Sequence, residues 1–164
     1  MKHTDRTRAW AKWFTLFLLF TLLPLSSSAQ QFTVKVDSEG QLAEKLPDDV
    51  RFTMSELKVC GPLNGSDLRI LQTIAGRMKP KRASKHKLLV LDLSEASIPE
   101  GKGGFRTRAE VLPAALFINC KDLEHVILPA TLTEIGRSCF SGCTYLKVLE
   151  LPETLTLIGE YAFA

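Results

Sequence analysis

The sequence predicts a mixed α/β repeat solenoid, built of short stacked strands with a helix-containing cap on its amino-terminal side, and three observations lead there. A segment recurs at a fixed spacing, apolar residues inside each copy alternate as in a strand, and the stretch ahead of the copies carries helical spacing with capping residues. The recurrence is the strongest of the three. Residues 128–140, LPATLTEIGRSCF, return as LPETLTLIGEYAF at 151–163, a period of 23 residues. A second block extends it backwards, with FINCKDLEHVILP at 117–129 matching FSGCTYLKVLELP at 140–152 at the same period. A unit this short cannot bury its own apolar face, so each must stack on its neighbours.

Within the units, Leu123, Val126 and Leu128, then Leu146, Leu149 and Leu151, mark a strand whose side chains form an internal ladder. Glu124, His125 and Ile127, and then Lys147, Val148 and Glu150, fall off that ladder toward the surface, as strand alternation requires. Pro129 and Pro152 lack the backbone donor a ladder needs and close the strands. Gly136 and Gly159 recur at a corner, which calls for positive φ or a close approach to a neighbour. Upstream, LLVLDLS at 88–94 reads as one more strand of the series. The step from Leu93 to Leu128 is 35 residues, so that unit carries an insertion of twelve.

Ahead of the repeats, FTVKV at 32–36 alternates like a strand and residues 38–46 have room for one short helix. Asn64, Ser66 and Asp67 supply capping chemistry, and Leu68, Leu71, Ala75 and Met78 recur at helical spacing before Pro80. The domain reading is a signal peptide at 1–29, a capping region at 30–87, and repeats at 88–164 with the last unit incomplete.

The signal is read from a basic start (Lys2, Arg6, Arg8, Lys12), an apolar run at 14–23, and small residues Ser27 and Ala29 before Gln30. The run is about half of the roughly 20 residues a membrane-spanning helix needs, so cleavage is expected rather than a retained anchor. Cleavage would remove four of the 21 Lys and Arg and one of the 18 Asp and Glu, leaving 17 of each. The formal charge of +3 thus belongs to the leader. No basic face remains to argue for nucleic acid. The expected location is outside the cytoplasm: cell surface, extracellular or periplasmic.

The unit resembles that of the BspA-like leucine-rich-repeat surface antigens of the Bacteroides type, L-P-x-x-[LV]-T-x-I-G-x-x-[AC]-F-x-x-C-x-x-L. Residues 128–146 match at Leu128, Pro129, Leu132, Thr133, Ile135, Gly136, Cys139, Phe140, Cys143 and Leu146. The likeness is strong over 112–164, and residues 57–76 followed by 88–98 resemble the amino-terminal region of secreted members, where a capping segment with one helix precedes the repeats. It implies a leucine-rich-repeat fold and a surface-exposed or secreted protein that binds other molecules, and it implies no catalytic residues. The chain stops in mid-unit at Ala164, so the expectation is that the reading frame continues or that a second chain covers the uncapped end by self-association.

Candidate sites follow from the surface positions. The strand face of Val90, Asp92, His125, Ile127, Val148 and Glu150 is the expected contact for an extracellular protein or glycan. His125 near Asp92 and Glu150 has the residue types of a general base or metal ligand. No nucleophile converges on it and an open face does not exclude water, so a ligand-contacting or solvent-facing His is favoured and no enzyme is expected. The glycine-rich loop at 99–110 lacks phosphate-loop order and reads as a flexible insertion, with Lys102, Phe105, Arg106 and Arg108 suited to an acidic partner. The charge run at 78–87 reads as a solvated loop. Cys120 and Cys143, one period apart, could form a bridge between adjacent units, although packing as small apolar groups is the preferred reading, and Cys139 aligns with Ala162. No metal or cofactor is expected. The rival function is a structural fragment of a longer surface antigen with no ligand of its own.

Overall fold

The computed structural model describes residues 31–47, 50–77, 87–101 and 103–164. The segment 1–29 expected to be a leader, most of the charge run at 78–87, and Lys102 lie outside the described residues. The elements run β1 (Gln31–Lys35), α1 (Leu42–Lys45), β2 (Glu56–Pro62), α2 (Gly65–Ile74), β3 (Val90–Asp92), β4 (Ala96–Ser97), β5 (Val111–Leu112), β6 (His125–Ile127), β7 (Glu134–Ile135), β8 (Val148–Glu150) and β9 (Leu157–Ile158).

All the strand pairs are parallel and fall into two ladders. One runs β1-β2-β3-β6-β8, with β4 attached to β2, and the other runs β5-β7-β9. The register follows the repeat: Val90 pairs with His125 and His125 with Val148, while Leu91, Val126 and Leu149 form the inward row. This is a repeat fold of parallel strands with few helices. The first sheet runs on through the amino-terminal region, since β1 and β2 continue it beyond β3.

Backbone bonds recur at the same period. Thr133 N donates to Glu110 O and Thr156 N to Thr133 O; Gly136 N donates to Leu112 O and Gly159 N to Ile135 O; Phe117 N donates to Cys139 O and Phe140 N to Ala162 O. The hydroxyls of Thr133 and Thr156 donate to the carbonyls of Glu110 and Thr133, which explains why the unit keeps Thr there. Inside, Phe117, Phe140 and Phe163 stack with ring centroids 5.3 and 5.8 Å apart. Side chains of the last unit are less covered: Leu151, Ile158 and Phe163 are about half exposed, whereas Leu128, Ile135 and Phe140 are buried.

The recurring glycine acts by closeness rather than by handedness. A Cβ on Gly136 would lie 2.6 Å from Leu112 O and 2.7 Å from Ala114 N, and one on Gly159 would lie 2.6 Å from Arg137 N. The left-handed residues come two positions later, at Ala115, Ser138 and Tyr161, spaced by one period.

The amino-terminal region is pinned by one buried carboxylate. Asn64 caps α2, accepting from Ser66 N and Asp67 N, and Asp67 reaches back to Asn64 N in a capping box. Asp67 is fully buried and also accepts from Gly40 N at 2.7 Å and Leu42 N at 3.1 Å, which joins α1 to α2. The helix expected over 38–46 shortens to Leu42–Lys45, because Gly40 takes φ +85° and the amides ahead of the turn are given to Asp67. Gln72 Nε2 donates to Leu116 O at 2.6 Å and docks α2 on the first unit.

The loop at 99–110 is not the loose insertion its glycines suggest. Phe105 N donates to Gly65 O, Arg69 donates to Gly104 O at 2.7 Å, and Thr107 Oγ1 donates to Pro99 O at 2.8 Å. Its glycines let the loop lie against α2: a Cβ on Gly103 would come 2.8 Å from Ser66 N, and one on Gly104 2.9 Å from Gly65 O.

Candidate binding face

Because β3, β6 and β8 alternate, Leu91, Val126 and Leu149 point inward and leave Val90, Asp92, His125, Ile127, Val148 and Glu150 on one outer surface. The sequence-derived face is therefore contiguous. His125 Nε2 and Glu150 Oε1 lie 2.8 Å apart, joining neighbouring units across the diagonal of the register. Asp92 turns elsewhere. Its Oδ1 accepts from Ser94 N at 2.8 Å and its Oδ2 lies 3.6 Å from Lys58 Nζ, so the trio of His125 with both carboxylates is not assembled.

The face extends beyond the residues expected from sequence. β2 adds Glu56, Lys58 and Cys60 on its outer side, and Lys58 Nζ meets Glu95 at 2.7 Å as well as Asp92. Burial works against the charge on Asp92, yet the bonds from Ser94 and then Lys58 hold its carboxyl below the usual range. Glu95 is held low by its bond to Lys58 and, after that, by Cys60. The bond to Glu95 raises Lys58, while burial and then Glu95 push the Cys60 thiol up. The result is a fixed ion cluster at one end, the His125–Glu150 pair at the other, and the apolar Val90, Ile127 and Val148 between.

Of the loop residues expected to grip an acidic partner, Lys102 lies outside the described residues and Phe105 faces inward, while Arg106 and Arg108 are both exposed. Phe105 is half-buried against the core, with Arg69 stacked 5.2 Å over its ring, and Arg108 pairs with Glu134. Only Arg106 of the described three remains exposed and outside such a contact.

All four cysteines are unpaired. Burial pushes Cys120 and Cys139 up to about 12 and raises Cys143, whose Sγ donates to Phe117 O at 3.0 Å. They serve as small packing groups between units. Among the described residues no group of three or more His, Cys, Asp or Glu could hold a metal ion, and no helix is long and apolar enough to cross a membrane.

Units that stack at a 23-residue period after one longer step, joined by two parallel ladders and presenting an open strand face, define a protein of the repeat class. Residues 110–164 match the family model described as BspA type leucine rich repeat region (6 copies). Over those residues the chain carries repeats of the BspA-like leucine-rich-repeat type. No curated protein matches the chain.

Proposed function

We propose that this is an exported, non-enzymatic solenoid of the surface-antigen type that binds an extracellular protein or glycan through its strand face. The observation that carries this is the face itself: Val90, Ile127 and Val148 set between the Lys58–Asp92–Glu95 cluster and the His125–Glu150 pair. Apolar side chains ringed by fixed polar groups have the composition of a binding patch. Glu56, Asp92, Glu95 and Glu150 outnumber Lys58, so the face favours a partner with basic groups around an apolar contact. An open surface excludes no water and orders no nucleophile, which is why binding is preferred over turnover.

The test replaces His125 and Glu150 together by Ala, and Ile127 separately by Asp, and measures adhesion to immobilised extracellular-matrix proteins and glycans. Thermal melting serves as a check on folding. Loss of adhesion in both variants is expected; adhesion equal to that of the parent chain would remove the strand face from consideration. Protease shaving of intact cells tests the export.

A further inference from the structure

A second surface lies on the other ladder. Beside β5 and β7 there is a cleft of about 520 Å³, within the usual range of roughly 300–1,000 Å³ for small-ligand sites. Arg106 and Arg108 line it from the loop ahead of β5, and Arg137 from the unit that carries β7. Its apolar wall is Val111, Pro113 and Ala114, and two carboxylates, Glu100 and Glu134, complete the rim. Two of the arginines are already oriented: Arg108 by its pair with Glu134, and Arg137 by stacking 5.7 Å over the Tyr161 ring and by Glu160 at 3.8 Å. Arg106 is exposed and has no ion pair among the described residues.

We propose that this cleft binds one acidic sugar residue of a glycan, a hexuronate, with its carboxylate taken by Arg106 and Arg137. Planar guanidinium groups suit a carboxylate, and such charge-assisted bonds are the stronger kind. The rim decides between acidic ligands. A peptide rich in Asp or Glu would set several carboxylates against Glu100 and Glu134, which repel them. A uronate brings one carboxylate for the arginines, several hydroxyl donors for the two glutamates, and an apolar ring face for Val111 and Pro113. The arginines of the loop thus belong to a site shared with β7, not to a tip that reaches out alone. The site is separate from the strand face, and its success or failure is independent of that reading.

The experiment titrates the chain with an oligosaccharide that ends in a single galacturonate and is otherwise neutral, its methyl ester, maltotriose and hexaglutamate by isothermal calorimetry, repeated on Arg106→Ala, Arg137→Ala and the double variant. Both arginines are exposed, so the variants are expected to fold, and melting curves check this. Lys147→Ala is the control for loss of a surface charge elsewhere, and His125→Ala with Glu150→Ala is the control for the strand face. The expected result is saturable binding of the uronate, weakened at least about tenfold by either arginine variant and by esterification, with the controls unchanged. No binding of the uronate up to 10 mM, roughly the floor of specific recognition, would overturn the proposal. Equal binding of maltotriose, tighter binding of hexaglutamate, or indifference to both arginine variants would overturn it as well.

Discussion

Removing the carboxylate of Asp67 should cost this fold far more than its place in a polar helix cap suggests. In an ordinary cap the side chain is solvated and the loss is about 1 kcal/mol. Here the carboxylate is fully buried and accepts from three backbone amides, Gly40 at 2.7 Å, Asn64 at 3.0 Å and Leu42 at 3.1 Å. Bonds to a charged acceptor contribute about 1.5–3 kcal/mol each, so a simple sum would approach about 4.5–9 kcal/mol. Two effects reduce it. The amides of Gly40 and Asn64 are only partly buried and recover water, and deleting the carboxylate also deletes the cost of burying it. The Leu42 amide is buried and is left without an acceptor. Asp67→Ala is therefore expected to lose about 3–5 kcal/mol, a large share of the roughly 5–15 kcal/mol typical of a domain. Asp67→Asn keeps one acceptor oxygen, which in the position of Oδ2 still serves Gly40 and Asn64, so it should lose about half as much. The assay is urea unfolding with a free slope, beside hydrogen exchange at Gly40 and Leu42. A loss below about 1 kcal/mol for Asp67→Ala, or equal losses for Ala and Asn, would refute the three-amide account.

Two further outcomes follow from the packing. Gly136→Ala places a methyl within 2.6–2.7 Å of the backbone of the preceding unit, with no flexible side chain to give way, so it should destabilise by more than about 2 kcal/mol in urea unfolding. A neutral result would show that the units can separate locally. Cys120 and Cys139, pushed up to about 12 by burial, should resist iodoacetamide at pH 8 and react after unfolding. Because their folded pKa lies above the ordinary value of 9.0, the neutral-thiol contribution to stability is complete below pH 9 and is lost as pH rises toward 12. The double variant Cys120→Ala with Cys139→Ala should lose less of its melting temperature over that window; an identical decline would place its cause elsewhere.

The sequence showed the repeat because its signature residues are those that cannot vary without breaking contacts between units. Thr133 and Thr156 stitch carbonyls, Gly136 and Gly159 admit a neighbour's backbone, and Phe117, Phe140 and Phe163 stack. The strands of the first ladder were legible from alternation at β3, β6 and β8. The second ladder was not, since β5, β7 and β9 are two residues each and no periodicity can be read from two residues. β2 was not anticipated, since Gly61 and Pro62 interrupt the alternation that Leu57 and Val59 begin; Gly61 is there because a Cβ would fall 2.0 Å from Val36 O. With β2 unseen, Lys58 and Cys60 could not be placed on the face. The loop at 99–110 misled for a related reason: its glycines signify close packing against α2 as readily as freedom, and composition does not separate the two. Arg137 went unnoticed because it sits between Gly136 and Cys139, inside the frame of the repeat.

Comparison of the last two units shows how such a scaffold acquires specificity. Moving one period along the chain, His125 becomes Val148, Ile127 becomes Glu150, Glu134 becomes Leu157 and Arg137 becomes Glu160. Charge and polarity change at every one of these outward positions. The backbone pairing does not change: β6 and β8, and likewise β7 and β9, hold the same register. The interactions that stabilise the stack are thus carried by one set of residues and the chemistry offered to a partner by another. A substitution on the strand face or in the arginine cleft can alter what is bound while leaving the core bonds intact. The repeat pattern therefore accounts for the stacking of residues 110–164 but not for the ligand, which depends on side chains the repeat leaves free to vary.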